Sequence, residues 1–202
     1  MIGIVNYGMG NLGSVKNALD YIGADSFVSE DPVLLESADA LVLPGVGSFG
    51  DAMDNLRIRG LEETVVKVIS SGKPFLGICL GFQMLFANSE ESPGIKGLGI
   101  LDGSVKRFPE STGLKIPQIG WNSIKTKTGM RLLGESDGEY MYFVHSYYAD
   151  PANMDGHIVE TLYGISFASA VENENILACQ FHPEKSGTKG LGILRKWAGS
   201  AL

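Results

Sequence analysis

The sequence predicts an α/β domain whose sheet is mostly parallel and covered on both faces, and three observations predict it. Short apolar runs alternate with helix-period stretches through the first 90 residues in the order βαβαβαβ. Runs such as 40–43 and 74–78 are apolar throughout, as strands buried on both faces of a parallel sheet are. The composition, 44% hydrophobic and 19% charged with 27 glycines in no fixed period, is that of a folded globular chain, not of a disordered, collagen-like or coiled-coil one. At 202 residues the chain is near the size of one large domain, so a single domain over 1–202 is expected.

The elements follow in order. Strand 2–6 leads to helix 12–22, strand 27–29 to helix 32–38, strand 40–43 to helix 61–71, and strand 74–78 into a helix over 80–87. Asp31-Pro32 reads as an N-cap followed by proline at the first helical position, while Gly23 and Gly72 sit where left-handed C-terminal caps belong. From about Gly94 the chain turns to glycine-rich, strand-like pieces at 105–108, 118–124, 141–144, 167–171 and 176–181, for which mixed or antiparallel pairing is expected. Residues 187–197 read as a closing helix.

Charge and leader signals exclude several functions. The net charge of −7, with no basic run, argues against a nucleic-acid partner. The N-terminus lacks a signal-peptide pattern and no apolar run approaches a membrane span, so a cytoplasmic protein is expected. Two cysteines, Cys79 and Cys179, are too few for a disulfide framework. Neither phosphate-cradling glycine pattern follows a strand, which sets nucleotide binding aside.

Gly77-Ile78-Cys79-Leu80-Gly81 joins a predicted strand to a predicted helix and matches the nucleophile elbow, with cysteine in the serine position. Side chains at the two glycines would collide with adjacent chain, and a helix N-terminus favours thiolate. Cys179, in an apolar strand without flanking glycines, reads as core. A thiolate nucleophile needs a base. Among His145, His157 and His182, the strongest candidate is His182, because Glu184 lies two residues on across a proline that enforces extension and so can orient the imidazole. His145 is the runner-up, and His157 reads as a loop residue beside Asp155-Gly156. Oxyanion donors are expected from the N–H of Leu80 and from the Pro44-Gly45-Val46-Gly47 loop.

Taken together, Gly77 to Gln83, Phe181-His182-Pro183-Glu184 and Pro44 to Gly47 resemble the triad-type, class I glutamine amidotransferases over essentially the whole chain. The stretches Asn6 to Asn11, Gly120-Trp121-Asn122, Tyr142 to His145 and His182 to Ser186 resemble one branch, the glutaminase subunits of imidazole glycerol phosphate synthase. The resemblance implies a three-layer, flavodoxin-like sandwich, no cofactor and no metal. It implies that Cys79 attacks the side-chain amide of glutamine, His182 carries the proton to departing ammonia and Glu184 holds His182, with Val46 and Leu80 in the oxyanion hole. Glutamine would be held by Gly47, Gln83, Glu91, Ser146 and Tyr147. The implied partner is a HisF cyclase, a (β/α)8 barrel that takes ammonia to make imidazole glycerol phosphate and an aminoimidazole carboxamide ribotide. Asn11, Pro117, Trp121, Tyr142 and Lys185 fall on the implied docking face. Two alternatives share these motifs: a glutaminase serving a sugar-modifying HisF-like partner, and a free-standing cysteine amidase.

Overall fold

In a computed structural model, which describes residues 1–152 and 157–200, the chain opens with β1 (Ile2–Val5), α1 (Leu12–Tyr21), β2 (Ser26–Ser29) and α2 (Pro32–Ser37). It continues through β3 (Ala40–Gly45), α3 (Phe49–Ile58), α4 (Leu61–Ser70), β4 (Phe75–Cys79) and α5 (Leu80–Gln83). Then come β5 (Gly103–Arg107), β6 (Gln118–Ser123), β7 (Tyr140–His145), β8 (Tyr147–Pro151), β9 (Ile158–Tyr163), β10 (Ile165–Asn173), β11 (Ile176–Cys179) and α6 (Gly187–Gly199). The Asp155-Gly156 turn signal lies outside the described residues.

The central sheet runs β2-β1-β3-β4-β11-β10-β8-β5, with β9 also paired to β10. From β2 to β11 every pairing is parallel. From β10 outward every pairing is antiparallel, as the change of sequence style after Gly94 predicts. Strands β6 and β7 form a separate antiparallel pair.

Side-chain alternation builds the layers. Ile2 and Ile4, Ala40 and Val42, and Leu76 and Ile78 point to one face, where they pack with Val15 and Leu19 of α1 and Ile193, Leu194 and Trp197 of α6. The intervening Val5, Leu41, Leu43 and Phe75 face Leu35 of α2, Met53 and Leu56 of α3, and Val65 and Ile69 of α4. Both faces are covered, which is why the strands are apolar at nearly every position. Asp31 caps α2 as its sequence predicts, its carboxylate accepting from Val33 N at 2.8 Å.

The structure adds three elements that periodicity left unassigned. Helix α3 begins at the Ser48-x-x-Asp51 cap, where Ser48 Oγ accepts from Asp51 N at 3.3 Å. Strand β8 is disguised by turn-type residues, Asp150-Pro151, and β9 is a half-exposed alternating run. The helix expected over 80–87 is a correction of length: α5 stops at Gln83 because the carbonyls of Met84, Leu85 and Ala87 accept instead from Leu98, Ile100, Leu101 and Gly97.

Candidate active site

The end of β4 positions the nucleophile candidate. Cys79 adopts φ 55° and ψ −108°, a conformation costly for a residue with a side chain and held here by its surroundings. The flanking glycines make the turn possible. A Cβ on Gly81 would stand 1.9 Å from Leu43 O, and one on Gly77 would stand 3.1 Å from Gly81 O. Gly45, opposite Cys79 in the β3–β4 register, is equally confined, since a Cβ there would meet Tyr7 Oη at 2.7 Å and Leu80 Cβ at 2.8 Å. The collisions foreseen from the Gly-x-Cys-x-Gly spacing are therefore real and are made by backbone. Helix α5, however, is a single turn, so its dipole is small. Three groups face the sulfur: Gln180 Nε2 donates to Cys79 Sγ at 3.6 Å, Val144 O lies at 4.0 Å where it can accept from the thiol, and His182 borders the same cleft.

His182 follows β11 and is brought to the cleft by a hydrogen bond from its N–H to Tyr142 O at 2.9 Å. Its Nδ1 meets Glu184 Oε1 at 2.8 Å, both side chains being almost wholly buried. The expected extension holds only at His182: Pro183–Lys185 form a 3-10 turn, and this turn, not an extended segment, brings the Glu184 carboxylate back to the imidazole. Burial alone pulls the imidazole pKa down, but the Cys79 sulfur and the Glu184 carboxylate outweigh it and push His182 up to about 9. Nε2 of His182, buried and without a hydrogen-bond partner among the described residues, is left for the cleft.

His145 has the opposite electrostatics. Burial, set against a hydrogen bond to Tyr147 O at 2.7 Å and helped by the nearby His182, lowers its pKa to about 4. The carbonyl can only accept, so His145 carries its proton on Nδ1 and presents a bare Nε2. His157 is an exposed residue beside β9, its Nδ1 at 2.9 Å from Glu172 O, away from the cleft. Cys179 is core: buried, 3.8 Å from Gly77 O, and with its thiol pKa driven up by burial.

The cleft is about 310 Å³ and is lined by Val46, Gly47, Cys79, Leu80, Gln83 and Glu91 on one side, with Pro117, Val144, His145, Ser146, Tyr147 and His182 on the other. It is large enough for a free amino acid and bounded by five titratable side chains, Cys79, Glu91, His145, Tyr147 and His182. Glu91 stands at the start of α3, where its Oε2 accepts from Phe49 N at 2.7 Å. Gln83 donates from Nε2 to Tyr147 O and to Gln180 Oε1, both at 2.9 Å. Gly47 has φ +93°, a backbone conformation that side chains rarely adopt, so glycine suits this turn, while Met9 Cε, 2.6 Å from the place of its missing Cβ, is a flexible end that could move aside.

Of the sequence-predicted catalytic, oxyanion and substrate residues, all line this cleft except Glu184, which is buried against His182 Nδ1. Of the expected docking residues, only Pro117 lines the cleft. Pro117 is on the rim, Asn11 caps α1 by accepting from Ser14 N, and Lys185 is exposed on the turn after His182. Trp121 is 55% exposed on the outer face of β6 and meets Tyr142 edge-on at 6.1 Å, so it is not a core residue. Ile119, Tyr140 and Val144 extend that apolar face. Sequence reasoning missed Gln180, whose signal was a lone amide within the apolar run 176–181. It also left without a role Tyr7, whose hydroxyl donates to Pro44 O at 2.9 Å beneath the 44–47 loop.

Residues 5–198 match the family model "Glutamine amidotransferase class-I". The chain is 52% identical over 197 residues to the imidazole glycerol phosphate synthase subunit HisH of Methanothermobacter thermautotrophicus, covering 98% of this chain and 97% of that one. It is 44% identical to the HisH of Bacillus subtilis, covering 100% and 97%. Among solved structures, it resembles a glutamine amidotransferase at TM-score 0.77 and 21% identity, covering 99% and 98% of the two chains. It also resembles PurLQS from Thermotoga maritima at TM-score 0.78 and 18% identity, covering 98% and 97%.

Proposed function

Because the chain belongs to the class I glutamine amidotransferases and, within them, to the HisH subunits of imidazole glycerol phosphate synthase, we propose that its cleft hydrolyses glutamine through a thioester on Cys79. The observation that carries the reading is the buried Glu184-His182 pair, whose unpartnered Nε2 borders the same cleft as the elbow cysteine.

The chemistry balances on these residues. With the proton on His182, the Cys79 thiolate adds to the amide carbon, and the N–H groups of Val46 and Leu80 receive the oxyanion. The carbon–nitrogen bond then breaks as His182 gives its proton to the leaving nitrogen, releasing ammonia. Water enters, His182 takes one of its protons, and the resulting hydroxide displaces the thiolate to release glutamate. Glu184 keeps the imidazole in register and stabilises its charged form in both halves. Glu91 suits the α-ammonium of glutamine, and Gln83 with Gly47, Ser146 and Tyr147 completes the grip.

Ammonia released into neutral water is protonated and lost as a nucleophile, so the cleft gains from being closed by its user. The chain is the glutaminase subunit of an imidazole glycerol phosphate synthase, paired with HisF in histidine biosynthesis. We read the chain as one amidotransferase domain and assign Asn11, Pro117, Trp121, Tyr142 and Lys185 to the HisF interface. Among the described residues no helix is long and apolar enough to cross a membrane, and the reading is of a cytoplasmic enzyme.

The test is glutamate release by the purified chain alone, then with HisF of the same organism, then with HisF and its ribonucleotide substrate. Low release alone, rising sharply in the full mixture and lost in Cys79→Ala, is expected. Full activity in the isolated chain would favour a free amidase, and silence in every mixture would overturn the assignment of the partner.

A further inference from the structure

We infer that Gln180 is a positioning residue for the Cys79 sulfur, the last link of an amide chain running from the Tyr147 carbonyl through Gln83; this rests on the glutaminase reading and deepens it. The Tyr147 carbonyl can only accept, so the atom that Gln83 turns to it at 2.9 Å is Nε2. That nitrogen has a second hydrogen, which goes to Gln180 Oε1 at 2.9 Å. Gln180 therefore presents its own Nε2 on the other side, and there it donates to Cys79 Sγ at 3.6 Å. One backbone oxygen thus sets the polarity of two amides whose ends are nearly identical in shape. Gln180 is fully buried, with its backbone N–H held by Ser169 O at 2.9 Å, so it has no water to turn to.

A buried amide aimed at a sulfur has a definite consequence. A hydrogen bond to an anion is about twice as strong as one to a neutral acceptor, so the donor favours thiolate over thiol and holds the sulfur in one rotamer. Since α5 is a single turn, this donor and His182 take over the role expected of a helix N-terminus. Because Gln83 lines the cleft, substrate contact and nucleophile are placed by the same chain of amides. The other titratable groups that sense the sulfur are Tyr7 and Cys179, both kept protonated by burial, while His145 and Glu184 act on it through His182.

The experiment is the pH dependence of iodoacetamide alkylation of Cys79 in the full chain, located by peptide mass and compared with glutamine turnover. Gln180→Met is expected to move the alkylation midpoint up by about one pH unit, the size of a hydrogen bond to a charged group. Gln83→Leu is expected to move it the same way, and to add nothing in the Gln180→Met background, because the two act in series. A folded Gln180→Met chain with an unmoved midpoint would overturn the inference. Should that variant not fold, an unmoved midpoint in Gln83→Leu does so instead. Wild-type protein that alkylates normally but never releases glutamate would sink the glutaminase reading and leave the amide chain standing.

Discussion

Glu184 Oε1 lies 2.8 Å from His182 Nδ1, with the two side chains only 1% and 3% exposed. A carboxylate held so far from water opposite an imidazole favours its charged form, and it fixes which nitrogen is left to work. The consequence is an imidazole whose pKa stands at about 9 beside a second histidine held at about 4. Two residues of one type are thereby assigned different duties by environment alone.

Removing the charge of Glu184 tests that duty. In Glu184→Gln the His182 imidazolium loses its partner, so the Cε1 proton of His182 should titrate well below pH 9 by NMR. Glutamine turnover in the complex should fall by roughly 10²- to 10⁴-fold, as in other triads deprived of their carboxylate. His145→Asn should leave single-turnover chemistry within about tenfold of wild type, and equal losses from His145→Asn and His182→Asn would reverse the choice of base.

The two histidines also predict opposite pH windows of stability. Below pH 6.5 the unfolded chain takes a proton that His145 refuses in the fold, so its contribution is present above 6.5 and lost as pH falls towards about 4. His182 is the reverse, fully stabilising below 6.5 and losing that contribution as pH rises through about 9. Urea unfolding between pH 5 and 9.5 should show His145→Asn gaining on wild type as pH drops. The deficit of His182→Asn should close as pH rises.

Glycines with and without room give stability changes of opposite sign. Gly81→Ala drives a methyl to 1.9 Å from the Leu43 carbonyl, which neither strand nor elbow can yield, so a loss of about 3 kcal/mol or more is expected. Gly192, inside α6 with open space around it, should gain about 0.5–1 kcal/mol as alanine. Thermal and urea melts of the isolated chain measure both.

The outer face of β6 and β7 carries the partner prediction. Trp121→Ala removes a half-exposed aromatic that rests on Tyr142 and touches no catalytic residue, so the chain's own melt should barely change. Its affinity for HisF should drop by roughly 30-fold, about 2 kcal/mol, as central aromatics of interfaces do. Unchanged affinity by calorimetry would remove Trp121 from the interface.

Much of this was legible in the chain itself, for local reasons. The parallel strands were readable because burial on both faces makes them apolar throughout. The elbow was readable because a strand-to-helix turn this tight leaves no room beside Gly77 and Gly81. The closeness of His182 and Glu184 was readable from their spacing, but the reason is a 3-10 turn over Pro183–Lys185 and not the extension expected from the proline. Helix α3 carried its signal in Ser48 and Asp51, yet periodicity alone passed over it. Strand β8 had no such signal, since Asp150-Pro151 reads as a turn until β5 and β10 pair on either side.

Residue types and short spacings by themselves determined the fold class and singled out Cys79, His182 and Glu184 as the candidate nucleophile, base and orienting carboxylate, because each signal depends on backbone geometry within a few residues. Only the tertiary structure decided what surrounds them. Gln180 reaches Cys79 because β11 lies beside β4, and Gln83 meets Tyr147 because β8 arrives from the antiparallel half of the sheet. The opposite pKa shifts of His145 and His182 arise from burial and from charges brought in by distant segments, and no local sequence specifies how much water those segments will exclude.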